Sequence, residues 1–420
     1  MTSVLPSVAR PTRHRAVPAR RGVRGLSHEQ GFWAIAFAFA VSLAFTVVPT
    51  PLWALYQRHD GYSTIAVTIA FAAYAVGVVT SLFLAGHVSD WLGRRRILLP
   101  AVLLEAIAAT LFITSTSLGV VIVARVLSGL GIGMITATAT AHLSELHTAA
   151  RPGAGRARAD LVSTVANLGG FAFGPVVAGV LAQYVSAPLR TPYLVFLALL
   201  LLAALAVSLV PETVDAFPRR YRPQRVNVPA ATRPRYFAAA AGAFAALSVL
   251  GLFTSLAPSF VSGTLHHPSR ALAGLVASLV FASGAVVQVL LRRQPIRRQL
   301  MTGLTLMALG LVTVTAGVWG TSLAVFLAGG IVAGGGAGAL LKGAISTAVD
   351  LAPPAVRGEA LAGLFLGGYL GLAVPVLGLG IATQLVSPRV ALLGFAAAVI
   401  LVIAGAARLL LRRQALNRAL

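Results

Sequence analysis

Ten carboxylates occur in the 420 residues, and one of them, Glu105, falls in the middle of a long apolar stretch. A carboxyl held away from water readily exchanges its charge for a proton, so Glu105 is a candidate proton carrier. The same position equally suits a structural partner for a neighbouring polar group. Two cations also lie in apolar stretches, Arg125 and Lys342, the latter the single lysine of the chain. An arginine inside a bilayer costs about 2.5 kcal/mol or more, so Arg125 is expected either to face a cavity or partner or to reach headgroups about two turns away. Lys342 has the same choice between binding an anionic group and reaching the membrane surface. Asn167, Tyr74 and Tyr369, together with Tyr56 and Gln288, are polar side chains suited to hydrogen-bonding within a cavity, and each equally suits a helix cap or a contact with headgroups.

Other chemistries are excluded. There is no cysteine, hence no disulfide, thiol nucleophile or thiolate-bound metal. His142 and His147 are five residues apart and do not share a helix face, so no zinc site and no metal is expected. The run Gly129-Leu130-Gly131-Ile132-Gly133 follows no strand, and no Walker sequence is present, so neither a nucleotide cofactor nor ATP-driven chemistry is expected. No cofactor of any kind is implied.

The elements that must carry these residues follow from composition. Hydrophobic residues make up 58% of the chain and charged residues 10%, too few charges to cover a water-facing surface. A membrane helix needs about 20 apolar residues. Such stretches predict an all-α membrane protein of twelve spans, at 31–56, 63–86, 97–117, 119–143, 160–184, 191–210, 236–262, 270–291, 299–318, 321–347, 360–386 and 389–411. The net charge of +23 resembles that of a nucleic-acid binder until it is sorted by loop. With the N-terminus placed inside, 27 arginines fall on the cytoplasmic side and four (Arg58, Arg190, Arg270 and Arg389) on the other. That asymmetry predicts that both termini are cytoplasmic, in a multi-pass protein whose expected place is the plasma membrane (a bacterial inner membrane). The charge is then a topology signal, its partner the anionic lipid of the cytoplasmic face, with no nucleic acid.

Residues 1–30, rich in Pro, Arg and Ser, are expected to form a disordered basic tail. Arg20-Arg21 is not read as a twin-arginine signal, because the following apolar run is too long and no cleavage site follows. The Pro- and Arg-rich segment 211–235 divides the chain into six-helix bundles at 31–210 and 236–411, leaving a cytoplasmic tail at 412–420. The bundles look like repeats. Gly129, Gly131 and Gly133 precede Glu145 by the spacing at which Gly334, Gly336 and Gly338 precede Asp350. Each acid leads into a span with a central proline, Pro175 or Pro375, and the first span of each half ends near prolines: Pro49, Pro51 and Pro258.

The loop Gly86-His87-Val88-Ser89-Asp90-Trp91-Leu92-Gly93-Arg94-Arg95-Arg96 resembles the signature loop of the major facilitator superfamily, G-x-x-x-D-R-x-G-R-R. The glycines permit a tight turn, Asp90 suits a helix N-terminus, and Arg94 and Arg95 suit pairing with it. In the family that acid bears on the eleventh helix, whose start here is Arg357-Gly358-Glu359, so the resemblance implies a gating loop of Gly86, Asp90, Gly93, Arg94 and Arg95. Trp91 stands where an arginine is usual, and the second-half equivalent, Arg292 to Arg298, has lost the acid.

Arg125-Val126-Leu127-Ser128-Gly129-Leu130-Gly131 resembles the R-x-x-x-G-x-G motif linked with proton coupling, which makes Arg125, with Glu105, a proton-coupling candidate. Gly170, Gly174 and Pro175 match part of the family's antiporter motif, and equally suit close helix packing. The resemblance implies a twelve-helix secondary transporter of efflux type, working by alternating access as a monomer and exchanging a small-molecule substrate for protons. Proton-coupled uptake of a sugar or other metabolite is the alternative. Pro211-Glu212-Thr213 resembles sugar porters faintly, without their other signatures. The first span, 31–56, has no acid, unlike several drug antiporters. A membrane-embedded transferase, for which only His59-Asp60 offers a reactive pair, and a non-transporting receptor are the readings from other classes.

Overall fold

The computed structural model describes residues 25–217, 221–226, 228, 230–353 and 356–416. Most of the expected basic tail therefore lies outside the described residues. Among the described residues every regular element is helical. Twelve helices are long and apolar enough to cross a membrane. They are α1 (His28–His59), α2 (Thr64–Ala85), α3 (Arg94–Thr114), α4 (Leu118–Ala150), α5 (Ala157–Tyr184) and α6 (Thr191–Leu209) in the first half. The second half holds α7 (Arg233–Ser255), α8 (Arg270–Leu290), α9 (Ile296–Trp319), α10 (Leu323–Leu351), α11 (Arg357–Leu385) and α12 (Pro388–Leu416). An even number of passes puts both ends of the bundle on one side, the terminal side below.

Side chains at the helix starts set several boundaries. α1 begins three residues before the expected position because Ser27 and Gln30 form a reciprocal capping box. The first helix thus does hold an acid: Glu29 lies in its first turn, 2.6 Å from Arg151 at the end of α4. Ser63, Ser269 and Ser322 cap α2, α8 and α10, each hydroxyl accepting from a backbone N–H of the first turn. α12 continues past the expected end at 411 to Leu416.

The prolines near the ends of the first helices break them. α1 is regular to Thr46, passes through a 3-10 turn at Thr50–Leu52 and resumes at Trp53–His59. α7 ends at Ser255 and is continued by a turn at Ala257–Ser259 and a π-helical turn at Phe260–Thr264. Proline lacks an N–H, so carbonyls one turn earlier lose their ordinary donors. The Thr50 N–H turns to the Val47 carbonyl and leaves that of Thr46 free for another partner.

Within each half the fourth helix packs on the second (α4 on α2, α10 on α8) and the fifth on the first (α5 on α1, α11 on α7). The halves meet along α5–α8 and along α2–α11. These interfaces exchange repeat-equivalent helices, as two copies of one six-helix unit facing each other require.

Gly170 and Gly174 make the α5–α1 contact possible. A Cβ on Gly174 would run into the Ala44 carbonyl, and one on Gly170 would lie 2.6 Å from that of Ala40. Small residues at this spacing let two backbones touch. Pro175 continues the same face: its carbonyl abuts Gly274 of α8 across the halves. Gly174→Ala is therefore expected to lower the melting temperature of the purified protein, overpacking of this kind costing about 1–3 kcal/mol. Gly378→Ala on α11, where a Cβ meets nothing within 4 Å, serves as the control and leaves melting unchanged.

Candidate functional site

A cavity of about 280 Å³ lies between the halves, lined from α1, α2, α4 and α5 on one side and α7, α8, α10 and α11 on the other. Direct hydrogen bonds close it on the side away from the termini. Trp53 Nε1 donates to the Thr254 carbonyl (3.2 Å) and Ser259 Oγ to Gln57 Oε1 (2.8 Å). Arg270, at the start of α8, donates from its backbone N–H to Gln183 Oε1 (2.9 Å) and from Nη1 to the Ala182 carbonyl (2.7 Å). On the terminal side the wall includes Thr164, Gln288, Ile345 and Phe365, close to that end of their helices. There the linker is hydrogen-bonded to the end of α2: the Gln224 N–H donates to the Phe83 carbonyl and the Tyr221 hydroxyl to that of Leu84.

Arg125 sits in the cavity wall and is buried. Its Nη1 donates to the Thr46 carbonyl at 2.8 Å, the group that the break in α1 set free. Its guanidinium carbon lies 4.5 Å from the Tyr74 ring centre and 5.8 Å from that of Phe71, a cation–π arrangement. Its Nε has no hydrogen-bond partner. Tyr74 and Tyr369 both line the cavity and meet edge to face across the α2–α11 seam, ring centres 6.5 Å apart. Phe171 and Phe281 stack across the α5–α8 seam at 5.1 Å. Asn167 and Gln288 also line the wall.

Two expected residues lie elsewhere. Lys342 is half-buried next to the lining residue Leu341 and is not part of the wall. Tyr56 is fully buried away from the wall, its hydroxyl 3.2 Å from that of Tyr193. Glu105 is fully buried behind the wall, on the far side of α4. It accepts a hydrogen bond from Ser128 Oγ (2.9 Å), while its Oε1 has no partner. Ser128 is one turn along α4 from Arg125, so the carboxyl and the cavity cation are linked through a single helix. The pair His59 and Asp60 is an exposed loop contact (3.0 Å) outside the cavity.

The signature loop forms a charge network on the terminal side of the first half. Arg94 is its centre, with a side chain only 9% exposed. Nη2 and Nε grip the Glu145 carboxylate at 2.8 and 3.2 Å, and Nη1 donates to Asp90 (2.6 Å) and Ser89 (2.8 Å). Asp90 therefore reaches Arg94 in its own loop, where the family pattern implied the start of α11. At that start, Gly358 lies beside the linker residue Gln224. Gly93 takes a positive φ of 111°, which only glycine adopts without strain. A Cβ there would also lie 2.7 Å from Glu212, whose carboxylate accepts from the Arg94 and Arg95 N–H groups at 2.8 and 3.0 Å. An anion on the free N–H groups of a helix start is favourable. Arg95 Nη1 caps the end of α6 through the Ser208 carbonyl (3.2 Å), and Thr213 Oγ1 donates to Glu145 (2.6 Å). Gly86 ends α2 beside Gln224.

Glu145 and Glu212 are the functional residues that sequence reasoning left unassigned. The signal was present, an acid ending the span that contains Arg125 and a Pro-Glu-Thr after the sixth span. Their meeting with a loop 51 and 118 residues away needed the fold.

A multi-pass helical bundle of two equivalent halves around a central cavity defines a membrane carrier. A family model described as Major Facilitator Superfamily matches residues 32–314, more than half of the chain, and the protein belongs to that family of membrane transporters. Its all-helical fold is shared by solved structures. They include the nucleoside transporter NupG (TM-score 0.71, 13% identity, covering 90% of this chain and 99% of that one). A bacterial homolog of the human lysosomal transporter Spinster, inward-facing and unoccupied, gives 0.69 at 14% identity, with 92% and 98% covered. The human organic anion transporter MFSD10 gives 0.65 at 17%, with 90% and 99% covered. In sequence, 77 residues (18% of this chain) are 35% identical to the arabinose-proton symporter of Bacillus subtilis (strain 168), and the match spans 17% of that relative's length.

Proposed function

We propose that this chain moves a small molecule across the plasma membrane by alternating access, coupled to protons, with both termini in the cytoplasm. The observation that carries the reading is Arg125, a buried cation in the wall of a cavity between two equivalent halves, one helical turn from Ser128, which holds a buried carboxyl. With this orientation the cavity faces the cytoplasm, and rocking of the halves about the α5–α8 and α2–α11 seams exposes it to the other side. Glu105 holds the proton, and Arg125 passes the effect of cargo to it through α4. The resemblance of Gly170, Gly174 and Pro175 to an antiporter motif favours export. The stretch shared with a proton symporter favours the opposite direction.

The test is reconstitution of the purified protein into vesicles with an imposed proton gradient, screened against a broad panel of solutes. The expected result is uphill accumulation of a solute that collapses with a protonophore. The sign of the gradient that supports it separates antiport from symport. Solute flux equal with and without the gradient would remove proton coupling, and no flux for any solute would remove the transport reading for this chain.

A further inference from the structure

We propose that the cavity takes a small organic anion with an apolar, flat body, its anionic oxygens bound by Arg125. The inference rests on the transport reading and adds the class of cargo to it. No aspartate, glutamate, lysine or histidine lines the cavity; Arg125 is the one charged side chain among the described lining residues. A guanidinium carries five donors. Here one hydrogen bond is made, to the Thr46 carbonyl, Nε is unpaired, and no carboxylate stands within ion-pair distance among the described residues. A buried cation left short of partners favours an anion and repels a cation.

The rest of the wall fixes the body of the cargo. Phe71, Leu168, Phe171 and Phe281 present apolar and aromatic surface, and the two aromatic pairs across the seams border a slot suited to a ring. The volume, about 280 Å³, is at the lower edge of the roughly 300–1,000 Å³ typical of ligand pockets, which fits a cargo of one or two rings. Tyr369 and Gln288 of the second half offer hydrogen bonds opposite Arg125 of the first, so a bound anion contacts both halves. A purely structural Arg125, pinning the break in α1, would need only its bond to Thr46, which a glutamine amide can also donate.

The experiment is a binding series on the full-length purified protein in lipid nanodiscs, read by calorimetry. The probes are benzoate, benzamide and benzylamine and their naphthalene counterparts, matched in shape and differing in charge. The carboxylates are expected to bind about tenfold or more tightly than the amides, a difference of about 1.4 kcal/mol, with no binding of the amines. Arg125→Gln is expected to fold and, by losing carboxylate binding above all, to bring the carboxylate-to-amide ratio to about one. Arg125→Lys keeps the charge and retains a preference for carboxylates. Amide or amine binding as tight as carboxylate binding in the unmodified protein overturns the proposal, as does failure of every carboxylate to bind. Flux in vesicles separates this from the transport reading. A carboxylate preference without flux leaves the anion site standing and removes transport, whereas flux of neutral or cationic solutes with no carboxylate preference does the reverse.

Discussion

Arg94→Ala will reduce transport by at least about an order of magnitude, more than any other substitution in the signature loop. The reason is its position in the network. Arg94 joins the start of α3 to the end of α4 through Glu145, and Glu145 in turn accepts from Thr213 at the start of the linker. Removing one partner of a buried pair costs about 3–5 kcal/mol, chiefly because the other charge is left uncompensated. Glu145 is 32% exposed, so the lower end of that range applies here. Asp90 is 60% exposed, and exposed pairs contribute only about 0–1 kcal/mol. The expected order of effect is therefore Arg94→Ala, then Glu145→Gln, then Asp90→Asn, read as transport rate and as melting temperature. The family pattern taken from sequence makes Asp90 the central residue. If Asp90→Asn stops transport while Glu145→Gln does not, the network seen here is not what governs the cycle, and Asp90 acts in the opposite state against α11.

The twelve spans, the two repeats and the absence of an acid in the second-half loop were legible in the sequence, because each depends on local composition. That absence has a structural counterpart. All ion pairs among the described residues lie in the first half, and Arg292, Arg293, Arg297 and Arg298 meet no carboxylate. Pro49 and Pro51 marked the break in α1, but not its consequence, that the freed Thr46 carbonyl would hold Arg125. The cavity wall was not legible. Helices apolar on most faces, such as α2 and α6, carry no periodic stripe to say which face turns inward. Tyr74, Tyr369 and Asn167 reach the wall and Lys342 does not, although all four stand in apolar stretches.

Glu105→Gln will leave the fold and cargo exchange intact and abolish accumulation driven by a proton gradient. Glutamine has the shape of the carboxyl and keeps an oxygen to accept from Ser128, so the one hydrogen bond at this buried site survives. Room for the group is built in: a Cβ on Gly131 would lie 2.8 Å from Glu105 Oε1. Because Glu105 stands outside the cavity wall, cargo binding and downhill exchange need not change. What glutamine cannot do is take and release a proton, and Glu105 is the carboxylate that lies deep within a span. A gradient of one pH unit is worth about 1.4 kcal/mol and sustains about tenfold accumulation when one proton accompanies a monoanionic cargo, a step that moves no net charge. The unmodified protein should therefore reach about tenfold under that gradient for such a cargo, and more or less as charge movement adds or opposes. Glu105→Gln should reach only equality across the membrane while counterflow proceeds at its former rate. Undiminished accumulation with the same pH dependence would take Glu105 out of the proton path. Parallel loss of accumulation and counterflow would instead make it a structural partner of Ser128, and Glu105→Leu, which strands that hydroxyl, would then be expected to melt earlier still.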